Sequence, residues 1–168
     1  AKDTCARYQN LYYDARHVCW AYMLGHARTE FRANDNGEPS GTAGKPILGQ
    51  INSFGLTDVL IVVVRYFGGI KLGTSGLIEA YRAAAADAIR ANEIVERLVE
   101  DDIRILFECP FMNDVMRIVK EEGPTVLSQY FELDCEMTLR QRRSLMSRLR
   151  ERLSKVESLR FPEESPVA

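Results

Sequence analysis

At 168 residues, 46% of them hydrophobic, the chain carries enough apolar material for one large core or two small ones. Its longest apolar run, VLIVVV at residues 59–64, is far short of the ~20 residues that cross a bilayer and ends in Arg65-Tyr66, so it reads as a buried strand and excludes a membrane-embedded segment there. The formal net charge of −2 gives no general reason to expect a polyanionic partner.

The opening AKDTCARYQN has no basic segment followed by an apolar one, so no signal peptide is expected; with no initiating Met, what precedes Ala1 stays open. Cys5, Tyr8 and Tyr12 fall on one face of a helix. RHVCWAYML then alternates, with His17, Cys19, Ala21 and Met23 on one side and Val18, Trp20, Tyr22 and Leu24 on the other, which predicts a strand apolar on both faces. Residues 25–46 are loop-like in composition, ILGQINS suggests a short helix, and TDVLIVVVRYF a central strand. SGLIEAYRAAAADAIRAN reads as an alanine-rich helix, capped by Thr74 or Ser75 and ended by Asn92.

Glycine divides the chain: ten of the eleven lie between Gly25 and Gly76, the last being Gly123. We therefore expect two architectures with a boundary in residues 92–98: a first domain at 1–95, a second at 96–162 and a tail at 163–168. In the second, DDIRILFEC alternates and buries Ile103, Ile105, Phe107 and Cys109. Pro110 opens a helix with Met112, Val115, Met116 and Val119 inward, closed by Gly123-Pro124. TVLSQYFEL and CEMTLRQ make a hairpin around Asp134; residues 144–156 form a helix with a Leu145, Leu149, Leu153, Val156 stripe, and SLRF ends as a strand. That order, βαββαβ, is ferredoxin-like, and the whole chain is α+β.

The four cysteines, Cys5, Cys19, Cys109 and Cys135, have no Cys-x-x-Cys spacing, which argues against zinc and a redox dithiol; they are expected as reduced core residues of a cytoplasmic protein. In NDNGEPSGTAGKPIL, residues 34–48, a Gly-Lys invites a phosphate-loop reading. Spacing rejects it: Pro39 stands where the first Gly should be and Pro46 where the Ser or Thr should be, and no suitable helix is evident after it. RYFGGIKLGTSG, residues 65–76, follows a strand and opens a helix, but Gly69, Gly73 and Gly76 do not match a dinucleotide fingerprint. Free amides at that helix start, with Arg65 and Lys71, suit an anion; the alternative is purely structural, with Gly68 and Gly69 in a tight turn and Gly76 letting the helix pack close to the sheet.

His17 and Cys19 point the same way on their strand but roughly 6–7 Å apart, which makes a Cys-His nucleophile thin. Between residues 137 and 156, seven basic residues face one acid, Glu151; Arg140, Arg142, Arg143, Arg148, Arg150 and Arg152 are therefore candidate nucleic-acid contacts, against the alternative of a solvated face balanced by Glu121, Glu122 and Glu132. The outward residues of the second sheet, Arg104, Leu106, Glu108, Glu136, Thr138 and Arg140, include no aromatic on which a base could stack.

Read together, DARHVCWAYML, NDNGEPSGTAGKPIL and VVVRYFGGIKLGTSGLIEAYRAA closely resemble the YigZ/IMPACT family, strongly over residues 14–92 and more loosely over the remainder. The resemblance implies a ribosomal-protein domain-2-like first domain and a ferredoxin-like second one, a pair similar to the last two domains of elongation factor G. Eukaryotic relatives regulate translation under amino-acid starvation by competing for the activator of an initiation-factor kinase. Family members also usually start with a strand before the first helix, so a sheet edge is expected to stand uncovered here.

The leading expectation is a non-enzymatic binding protein linked to translation, with RNA or the ribosome as partner, no cofactor, no metal, no catalytic residue and no membrane contact. Its candidate binding residues are Asp35, Gly37, Glu38, Pro39, Gly41, Thr42, Gly44 and Lys45 in one glycine-rich segment, and Arg65, Tyr66, Gly68, Gly69, Lys71, Gly73 and Gly76 in the other. Two alternatives stand beside it: a protein-interaction regulator that needs no nucleic acid, and an enzyme on a small anionic substrate with Asp35 or Glu38 as acid/base.

Overall fold

The two-sided strand is the centre of the first half. In the computed structural model, which describes residues 2–162, the chain divides into two units, Ala1–Val95 and Glu96–Ala168. The expected tail at 163–168 lies outside the described residues. Both units are mixed α+β, each with a three-stranded antiparallel sheet.

In the first unit, α1 (Lys2–Leu11) precedes β1 (His17–Leu24), which pairs with β2 (Glu30–Asn34) on one side and β3 (Val59–Arg65) on the other. The β1 alternation works as read. Cys19, Ala21 and Met23 join Ile61 in a core with α2 (Gly44–Ser53) and α3 (Gly73–Arg90), where Ile47, Ile51, Leu77, Tyr81, Ala85 and Ile89 are buried. The opposite face buries Val18 and Tyr22, and the Trp20 and Tyr22 rings stack on it. A groove of about 770 Å³ runs along β3, which has no strand on its outer edge among the described residues; Tyr8, Tyr12, Leu60, Val62 and Ile89 help line it.

Three local readings need correction. The stretch 25–46 is not all loop, because β2 lies within it; all five of its residues are exposed, so no in-and-out alternation marks it. Helix α2 begins at Gly44, directly at the Gly-Lys, with Pro46 tolerated in its first turn. Helix α3 begins at Gly73, ahead of Thr74 and Ser75, with no side-chain cap; Asn92 lies past its end and donates from Nδ2 to the Ala88 carbonyl at 2.6 Å.

The second unit runs β4 (Glu100–Glu108), a 3-10 turn (Cys109–Phe111), α4 (Met112–Glu122), β5 (Thr125–Phe131), β6 (Asp134–Arg142) and α5 (Arg143–Leu153), with strand order β4-β6-β5. Ile103, Ile105 and Phe107 meet Met137, Leu139, Leu149 and Leu153 in its core; burying each large side chain contributes about 1.5–3 kcal/mol. Residues 158–161 do not form the expected final strand. Only Leu106 and Arg160 pair, each amide donating to the other's carbonyl, so the ferredoxin-like order closes on a single bridge.

Pro110 sits in the 3-10 turn, so α4 starts later than expected and its buried face is Val115, Ile118, Val119 and Glu122, while Met116 is 40% exposed and Met112 only half-buried. Helix α5 ends at Leu153, short of the expected residue 156; its buried stripe is Met146, Leu149 and Leu153, with Leu145 half-buried in it and Val156 half-buried beyond it. The cysteines also divide. Cys5 and Cys19 are free and buried, but Cys109 is exposed beyond the end of β4 and bonded to Cys135 as a disulfide, their Cα atoms 5.5 Å apart. The β4–β6 register, which sets Phe107 opposite Cys135, is what brings the two together.

Candidate functional site

Asp35 explains why the apparent phosphate loop is not one. Its Oδ1 accepts from the amides of Ala43 (3.1 Å) and Gly44 (2.8 Å), and its Oδ2 from the Gly41 amide (2.8 Å). The start of α2, where a phosphate would sit, is thus occupied by the chain's own carboxylate. Burial pushes the Asp35 pKa up, but the three amide bonds together outweigh it and hold it below the usual carboxylate value. Gly44 is required by contact: a Cβ there would lie 2.6 Å from the Asn34 backbone nitrogen. Thr42 locks the turn by donating from its hydroxyl to the Pro39 carbonyl at 2.6 Å.

Glu38 goes inward, with its side chain only 4% exposed. Its Oε1 accepts from the Arg65 guanidinium at 2.6 Å and the Tyr81 hydroxyl at 2.9 Å, and its Oε2 lies 3.8 Å from His17 Nε2. Because a carbonyl only accepts, the 2.8 Å contact between His17 Nδ1 and the Asn36 carbonyl places a proton on Nδ1. Cys19 donates to the Asp35 carbonyl at 2.9 Å and lies 3.3 Å from the Tyr81 hydroxyl. One buried carboxylate therefore ties the first glycine-rich segment to β1, β3 and α3.

Both hydrogen-bearing groups at the centre of this cluster are held in their protonated forms. Burial, with the nearby Glu38 and Asp35 charges, pushes the Cys19 thiol up to about 11, and burial likewise drives the Tyr81 hydroxyl well above its ordinary value. No buried side-chain nitrogen or oxygen among the described residues lacks a hydrogen-bond partner. Nor does any group of three His, Cys, Asp or Glu among them sit close enough to hold a metal ion. Tyr81 escaped the sequence reading. Its signal was a hydroxyl-bearing residue inside the apolar stripe of Leu77, Ala85 and Ile89, where a buried phenol needs a partner.

The second glycine-rich segment joins the first through Arg65, then turns outward. Tyr66 is exposed and donates from its hydroxyl to Asp14 Oδ1 at 3.0 Å. Phe67 lies under two guanidinium groups, Arg16 at 5.6 Å and Arg65 at 6.0 Å. Gly69 takes a φ of 88°, a left-handed conformation that favours glycine, whereas Gly68 does not; Gly73 begins α3 with a φ of 71°. Gly76 is close not to the sheet but to its own helix's first turn, where an added Cβ would meet the Leu72 Cβ at 3.1 Å. Lys45 and Lys71 are both exposed, as are Pro39 and Gly37; Gly37 and Gly41 take φ values of 83° and 77°. Around the turn, Tyr13, Tyr66, Phe67, Ile70 and Leu72 are left in solvent.

The arginine-rich stretch is mostly engaged. Arg140 and Arg142 belong to β6, and α5 begins at Arg143. Arg140 forks onto Asp102 (2.7 and 2.9 Å) and Arg143 onto Asp101 (2.8 and 2.7 Å). Arg148 reaches Glu122 at 2.8 Å, Arg152 reaches both Glu122 and Glu121, and Arg150 lies over Phe161. The bonds from Arg152 and Arg148 hold the Glu122 carboxyl below its usual value. On the open sheet face, Arg104–Glu136, Arg140–Asp102 and Arg160–Asp134 pairs form a near-neutral ladder. That face does carry one aromatic. The β5 register sets Tyr130 opposite Glu136, 64% exposed, a position that a reading confined to β4 and β6 overlooks.

Comparison with known proteins gives this architecture its relatives. Residues 1–89 match the Impact N-terminal domain. An IMPACT family member of Haemophilus influenzae is 35% identical over 135 residues, 75% of this chain and 62% of the relative. YigZ of Escherichia coli, also an IMPACT family member, is 47% identical over 79 residues, 46% of this chain and 39% of that protein. YvyE of Bacillus subtilis is 42% identical over 97 residues, covering 58% and 45% respectively. The chain thus spans from under half to about three-fifths of these relatives. A crystal structure of an hypothetical protein superimposes with a TM-score of 0.65 at 26% identity, covering 96% of this chain and 80% of that one. The chain belongs to the IMPACT family.

Proposed function

We propose that this chain is a non-enzymatic binding protein linked to the regulation of translation, and that it contacts RNA or a ribosomal surface through the first unit. Family membership supports the link to translation. The observation that carries the binding role is the contrast within the two glycine-rich segments. Their inward half, centred on Glu38, is satisfied by its own partners, while their outward half exposes Tyr66 and Phe67, the latter against Arg16, and leaves Lys45 and Lys71 exposed. A scaffold of this kind presents a surface and holds no reacting group.

The enzyme reading draws no support from a site in which Asp35 caps α2 and Glu38 is bonded to Arg65 and Tyr81. The protein-interaction reading has one observation in its favour, the exposure of Ile70 (77%) and Leu72 (48%) on the same turn. Ribosome co-sedimentation at rising salt separates them. Association that falls with salt and weakens in Lys45→Ala and Lys71→Ala is the expected result; its absence even at low salt would defeat the proposal. Partners that survive nuclease and high salt would favour the protein reading.

A further inference from the structure

We infer that the turn at residues 66–72, together with Tyr13 and Arg16, is a stacking surface for unpaired bases of single-stranded RNA. This deepens the reading above and rests on it.

Three observations converge. Tyr13, Tyr66 and Phe67 expose 86%, 53% and 45% of their surface. They are neighbours: Tyr66 precedes Phe67 and bonds to Asp14, the residue after Tyr13. That bond also anchors the Tyr66 ring in place, as the flanking Arg16 and Arg65 do for Phe67. Rings already held in position lose little freedom when a base stacks on them.

The charge around them is positive in excess. No acid occurs in residues 59–78, which hold Arg65 and Lys71. Glu38 is balanced by Arg65 and bonded to Tyr81, while Asp14 accepts from the Tyr66 hydroxyl and keeps its charge. With Arg65 balanced by Glu38, the exposed Arg16 and Lys71 outnumber Asp14. Aromatic faces beside unbalanced cations match a chain of unstacked bases on a phosphate backbone. A duplex hides its base faces and would meet only the cations.

The test is fluorescence anisotropy of a short labelled oligouridine, and of an RNA duplex of equal length, with the 168-residue chain at several salt concentrations. The single strand should bind more tightly than the duplex. Tyr66→Leu and Phe67→Leu should each weaken it by about tenfold. Lys71→Ala should reduce the salt slope by about one. Tyr13→Leu, at the most exposed ring, guards against folding effects, and Trp20 fluorescence reports whether each variant is folded. Equal affinity for strand and duplex, or folded variants that bind as the parent does, would overturn the stacking surface while leaving ribosome association intact. Ribosome association that resists nuclease and is lost in Ile70→Ser with Leu72→Ser would overturn it in favour of a protein partner. Absence of any association with oligouridine or ribosomes would remove both this inference and the reading beneath it.

Discussion

Glu38 and Glu136 each receive an arginine nitrogen at 2.6 Å, one in the first unit and one in the second. Their surroundings differ. The Glu38–Arg65 side chains are 4% and 18% exposed, whereas Glu136 and Arg104 are 23% and 53% exposed. Water can replace the partner on the open sheet, but it has little access to the buried carboxylate. The same bond length therefore marks a structural pin in one unit and a minor surface contact in the other.

The sharpest way to break this comparison is to remove each glutamate. Glu38→Ala strands Arg65 and the Tyr81 hydroxyl and should lower stability by about 3–5 kcal/mol, read as a urea transition of Trp20 fluorescence. Glu136→Ala should leave the far-UV transition of the second unit where it was. Comparable losses in both would show that burial is not what distinguishes them.

Next in size is the close approach that sets α2 in place. Gly44→Ala drives a methyl into the Asn34 backbone and should cost about 1–3 kcal/mol, measured by the same urea transition. Asp35→Ala should cost about 1–2 kcal/mol through the lost cap. The Asp35 pKa is depressed in the folded chain, so its contribution is fully present above the unfolded carboxylate value and is lost as pH falls through the folded one. Parent and variant should therefore converge in strongly acidic solution, which thermal unfolding across pH would show. The smallest effect is chemical: Cys19, with its thiol raised to about 11, should resist a thiol reagent at pH 8 until the first unit unfolds. Rapid labelling of the folded chain would show the cluster to be open.

Much of this architecture was legible because burial leaves a period in the sequence. The two apolar sides of β1 and the alternation of β4 are direct records of which faces are covered. Strand β2 leaves no such record, since every residue in it faces solvent. The Cys109–Cys135 bond was hidden for another reason: it joins residues 26 apart whose meeting depends on strand register. The candidate site was half legible. Spacing alone disqualified the phosphate loop, but that Asp35 would fill the helix start, or that Tyr81 would meet a glutamate 43 residues away, follows only from the packed fold.

The central claim is that the Glu38 cluster builds the first unit while the outward turn binds. Measuring urea midpoint and oligouridine affinity together for Tyr81→Phe and Phe67→Leu tests it most directly. Tyr81→Phe should lower the midpoint and leave the affinity of the folded chain unchanged; Phe67→Leu should lower the affinity and leave the midpoint unchanged. A folded Tyr81→Phe chain that no longer binds, with Phe67→Leu binding normally, would contradict the account and move the action into the buried cluster.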